Sequence, residues 1–234
     1  MTRLSRDLSD IAATGVVLFA PVLYLGLRYT SAVNGTLING LGPLFTALFA
    51  AWLIKEPFTG KQFAGSFLAL SGVAVLISGA SISFFKDAHF NPGDLIIILA
   101  VVIWGLYSVA VRKTVKGRSP LSATALSIFM GLPVLLAAAA FEVSFIPVSL
   151  SPALVAIIVY IGIVPAALGF FCWNAGIEKL GAGGAMVFYN TMPLYGALLG
   201  FVFLGEKIGI PHIAGGTLII AGALISAVGK IRKL

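Results

Sequence analysis

The chain has 234 residues, of which 59% are hydrophobic and only 10% charged, where ordinary globular domains hold about 45–50% and about 25%. Such a chain cannot cover a water-facing surface, which excludes a soluble enzyme or a nucleic-acid-binding domain. Its net charge of +7 comes from basic residues set between long apolar runs, the pattern of a membrane protein with basic loops.

Eight stretches are long and apolar enough to cross a hydrocarbon core of about 30 Å at about 1.5 Å per residue. They run over 11–28, 32–54, 62–79, 94–111, 120–141, 153–177, 184–204 and 210–229, and lipid favours helices for unbroken apolar runs. The first follows MTRLSRDLSD; no small-residue cleavage site comes after it, so it reads as a retained helix and not a signal peptide. The second contains Pro43 and the seventh Pro193; Pro133 and Pro165 interrupt the fifth and sixth. Proline lacks an N–H and clashes with the carbonyl four residues back, so Pro43 and Pro193 are expected to kink their helices and free the carbonyls of Asn39 and Tyr189. The expected fold is an all-α polytopic transmembrane bundle.

An even number of spans puts both termini on one side. With that side cytoplasmic, twelve of the fifteen basic residues lie inside and only Arg28, Lys86 and Lys207 outside, as the positive-inside rule requires. The sequence therefore places a multi-pass protein in a plasma or bacterial inner membrane, with the lipid bilayer as its partner and no nucleic acid.

Two segments repeat at an offset of 150 residues without a gap. Pro43 matches Pro193, Glu56 matches Glu206, Gly65 matches Gly215 and Gly72 matches Gly222, with Gly26 and Gly176 in the same register. Five spans separate Glu56 from Glu206, so the two copies are expected in opposite orientation. Inverted repeats suit a carrier that exposes one midplane site to either side.

No Asp, Glu, Lys or Arg lies near the middle of a span, so a buried carboxylate relay has no candidate and neutral or zwitterionic substrates fit best. Asn39 and Tyr189 sit one turn before their prolines and are expected to line a cavity from opposite halves, the alternative being a kink satisfied by a neighbouring helix. Trp104 and Tyr107 share a helix face and form either a stacking site or core packing. Trp173 and Asn174 are expected to form a gate or an interface anchor. Asn34, Asn190 and Tyr195 are further substrate-binding candidates. Glu56 and Glu206 read as caps of the helices that follow them, and the glycine pairs as packing stripes. The single cysteine, Cys172, allows no intrachain disulfide. His89 and His212 have no partner at ligand spacing, so neither a metal nor a cofactor is expected.

The segments LRYTSAVNGTLINGLGPLFTALFAAWLIKE, WNAGIEKLGAGGAMVFYNTMPLYGALLGFVFLGE and GDLIIILAVVIWGLYSVAVRK resemble the drug/metabolite transporter superfamily, in particular EamA-type permeases. That resemblance implies two inverted five-helix halves, a central cavity between them, and export or uptake of small metabolites such as amino acids. Against that plan residues 1–92 supply three helices and 93–234 supply five. The matching start of the first half falls about 58 residues before Met1. A truncated, non-functional permease fragment is therefore the alternative to a working carrier, and a homodimer could cover the face left exposed. A membrane-embedded lipid-modifying enzyme is disfavoured, because Arg112, Lys113, Lys116 and Arg118 have no acidic or histidine partner nearby for acid–base chemistry.

Overall fold

The computed structural model describes residues 9–30, 32–79, 81, 91–115, 119–145, 151–205 and 208–231. Lys86, His89, Lys116, Arg118, Glu206 and Lys207 lie outside the described residues. Among the described residues nine helical elements follow in chain order: α1 Ser9–Leu27, α2 Ala32–Asn39, α3 Gly42–Ile54, α4 Gly60–Ser78, α5 Pro92–Val115, α6 Pro120–Phe145, α7 Pro152–Tyr189, α8 Met192–Leu204 and α9 Ile210–Ile231. No strand occurs among the described residues. Among the described residues six stretches are long and apolar enough to span a bilayer, with two shorter apolar helices after them. The fold is thus a polytopic helical bundle.

The second and seventh expected spans are each broken in two. In the first break the N–H of Leu41 donates to the Ile38 carbonyl, and those of Leu44 and Phe45 donate to Leu41. In the second the N–H of Thr191 donates to Phe188, and those of Leu194 and Tyr195 donate to Thr191. Residue for residue, this is the same elbow displaced by 150. Pro43 and Pro193 therefore do not kink a continuous helix, as expected from sequence. They occupy the first turn of a new helix, α3 or α8, where the missing N–H would have no intrahelical acceptor anyway.

The repeat shows elsewhere too. A π-helical stretch covers Ala12–Leu18 in α1 and Gly162–Leu168 in α7, again 150 apart. Pro165 explains the second. Gly15 holds the matching place in the first, where an added Cβ would strike the Tyr107 ring. α7 continues to Tyr189, but Gly181 breaks it into two arms, 152–180 and 182–189, with φ 75° and ψ 166°. Only glycine adopts that backbone freely.

The two glycine stripes meet each other. A Cβ on Gly65 would strike the Gly222 carbonyl, and one on Gly72 would lie 2.6 Å from the Gly215 carbonyl. Since 65 faces 222 and 72 faces 215, α4 and α9 run antiparallel. Each repeat's first stripe glycine touches the other's second, the self-complementary pattern of a two-fold contact. Equivalent helices running antiparallel are what inverted repeats require.

α4 begins with a capping box in which Thr59 accepts from the Gln62 N–H and Gln62 accepts from the Thr59 N–H. The expected cap at Glu56 is thus replaced by Thr59.

Replacing Gly72 by Val should force α4 and α9 apart and destabilise the bundle by about 1–3 kcal/mol. Replacing Gly196 by Ala, where nothing lies within 4 Å, should be tolerated. Thermal unfolding of the detergent-purified variants measures both.

Candidate functional site

The two elbows lie against each other. The Asn190 Nδ2 donates to the Gly40 carbonyl over 3.4 Å, and these two residues are themselves 150 apart. Beside this contact lies a cavity of about 380 Å³, lined from the first repeat by Thr36, Asn39 and Gly40 and from the second by Tyr189, Asn190 and Pro193. Asn39 and Tyr189 thus reach one cavity from opposite copies.

A second, more apolar cavity of about 680 Å³ lies between α5, α7 and α8. Trp104, Phe170, Trp173, Tyr189 and Tyr195 contribute aromatic walls, with Cys172 among the lining residues. Trp104 is the centre of the aromatic cluster, with ring centroids 4.4 Å from Phe19, 4.9 Å from Tyr107, 5.4 Å from Trp173 and 6.1 Å from Tyr189. Tyr189 and Met192 line both cavities. No Asp, Glu, Lys, Arg or His is among the described lining residues of either, and no group of three metal-binding side chains occurs among the described residues.

Three candidates from the sequence sit elsewhere. Tyr107 and Asn174 are both fully buried and closed into a network: the Tyr107 hydroxyl donates to Asn174 Oδ1 over 2.8 Å, and Asn174 Nδ2 donates to Thr124 Oγ1 over 2.7 Å. Thr124 donates onward to the Pro120 carbonyl. This chain ties α5, α6 and α7 together, which sequence could not show because its members come from three helices. Asn34 donates to both carboxylate oxygens of Asp94 over 3.3 Å. Asp94 is buried, accepts from the Thr30 hydroxyl, and shares a reciprocal cap with Asn91 at the start of α5. Asn34 therefore fastens a corner of the bundle. Trp173 packs against the aromatic cluster and lines the second cavity. Thr36 and Phe170 were missed, although each lies three residues before a chosen side chain on the same helix face.

At the opposite end from Asp94, Arg112 joins three elements. Its Nε lies 3.3 Å from Glu56 Oε2, and its Nη1 donates to the carbonyls of Ile177 and Glu178 over 3.2 and 2.6 Å. Those carbonyls belong to the last turn of α7's first arm before Gly181, where orphan acceptors and the negative helix end favour a cation. The pairing of Glu56, Arg112 and residue 178 puts their three segments on one side of the bundle. Thr30, Asn34, Asn91 and Asp94 share the other.

Antiparallel repeats, paired elbows and interior cavities define the class as a polytopic membrane carrier fold. A sequence profile described as "EamA-like transporter family" matches residues 6–78 and 91–228. The chain belongs to the EamA-like transporter family. It is 37% identical over 221 residues to the uncharacterized transporter YyaM of Bacillus subtilis, covering 93% of this chain and 71% of that protein. It is 29% identical over 228 residues to a probable terminal-alkyne amino-acid exporter of Streptantibioticus cattleyicolor, covering 94% and 73%. A crystal structure at 22% identity superposes with a TM-score of 0.74, covering 98% of this chain and 78% of the other, and shows the same fold.

Replacing Asn174 by Leu should lower the unfolding free energy by about 0.6–1.7 kcal/mol, the range of interhelical hydrogen bonds in membranes. Arg112→Gln should lower the melting temperature more than Glu56→Gln does, because only the former also uncaps α7. Parallel melting curves of the three variants test both expectations.

Proposed function

We propose that the chain is a permease or exporter that moves small neutral or zwitterionic metabolites, amino acids or related compounds, by alternating access. Residues 1–92 and 93–234 then act as the two repeats, with both termini on the cytoplasmic side of a plasma or bacterial inner membrane. One observation carries this reading: the helix breaks of two antiparallel copies converge on a single cavity, the place where carriers of inverted design bind cargo. The absence of ionised side chains among the described lining residues suits a substrate without net charge. The polar elbow would take the head of such a molecule and the aromatic cavity its apolar part. The name of the Streptantibioticus relative as an amino-acid exporter supports the substrate class.

The test is flux of radiolabelled amino acids in proteoliposomes. Wild type should exchange at least one of them. Asn39→Leu and Tyr189→Leu should each reduce flux about tenfold or more, a loss of about 1.4 kcal/mol in binding, with membrane insertion unchanged. Unaltered flux in both variants would remove the pair from the site. A wild-type protein that moves no amino acid or related metabolite would overturn the function.

A further inference from the structure

The elbows leave oxygen acceptors without their usual donors. Pro43 and Pro193 offer no N–H to the carbonyls of Asn39 and Tyr189, and each sits in the first turn of α3 or α8, so each also removes a donor from a positive helix end. Asn190 is only 2% exposed. Its amide nitrogen is used on the Gly40 carbonyl, and its Oδ1 is buried with no hydrogen-bond partner among the described residues. A buried, unpaired oxygen is costly and calls for an explanation. The C-terminal ends of α2 and of α7's second arm stop at this place, and their dipoles add negative potential. The first turns of α3 and α8 begin at the same place and offset part of it, each with one N–H fewer because of its proline; no Lys or Arg is among the described lining residues.

We infer that the elbow cavity binds a monovalent cationic group, either an alkali ion such as Na+ or a substrate ammonium, with Asn190 Oδ1 as one of its ligands. Neutral oxygens at unwound helix ends hold such groups in membrane proteins. Without a carboxylate in the lining, a divalent ion has too little charge compensation to leave water. The ammonium version rests on the transport function proposed above; the alkali-ion version does not.

The experiment is binding to the purified full chain in detergent, so it needs no flux. Melting temperature is titrated with NaCl and, separately, with methylammonium chloride, each against N-methyl-D-glucamine chloride at equal ionic strength. The expected result is a saturable rise on the order of 5 °C at a hundredfold excess over Kd. The rise should be lost in Asn190→Leu. In Asn190→Asp, which keeps the oxygen and adds charge, it should move to about tenfold lower concentration. A response to Na+ alone identifies an alkali-ion site, and a response to methylammonium alone identifies a substrate head-group site. No rise with either cation in wild type, or an equal rise in Asn190→Leu with no change in Asn190→Asp, overturns the inference. Cation binding without flux would count against the transport function and leave this site standing.

Discussion

Two helices of this bundle touch backbone to backbone. At Gly65, Gly72, Gly215 and Gly222 the space that a Cβ would fill is occupied by atoms of the facing helix. In lipid, helices gain little from hiding apolar side chains, so close approach through small residues is the main source of association. That contact holds the two repeats antiparallel and brings their other elements to matched heights. The elbows, the cavities and the opposed corners all inherit their positions from it.

Lipid imposes a second requirement, that every backbone polar group be satisfied within the protein. A helix can be interrupted in the membrane only where protein or a cavity meets the freed groups. Here the interruptions at 40–41 and 190–191 are closed by the same set of short backbone bonds, and the carbonyl of Gly40 is met by Asn190. Asp94 and Arg112 hold the two ends of the bundle in a comparable way. Each brings a charge to a helix terminus and ties neighbouring segments to α5.

Much of the fold was legible in the sequence because it follows from length and repetition. Apolar runs of spanning length gave the bundle, and the fixed offset of Pro43 with Pro193 and Gly65 with Gly215 gave the antiparallel relation. The elbows were visible only in part. Proline marked them, but it marks a helix start as readily as a kink, and the turn chemistry of Gly40–Leu41 and Asn190–Thr191 decides between these. Asn39 and Tyr189 could be paired because their equivalence is written in the register. Tyr107, Asn174 and Asn34 could not be told from cavity residues, since their partners Thr124 and Asp94 are distant in sequence. Periodicity gives the face of a helix and not what stands opposite.

The matched elbows also bear on energy balance. If the repeats exchange conformations as a rocking carrier would have them do, the backbone bonds lost in one elbow are regained in the other. Their contribution to the difference between the two end states then cancels. What does not cancel is carried by positions where the copies differ: Asn190 against Gly40, Tyr189 against Asn39, Trp173 against Leu23. In such a cycle the unlike pairs, these among them, would set the side on which the empty protein rests.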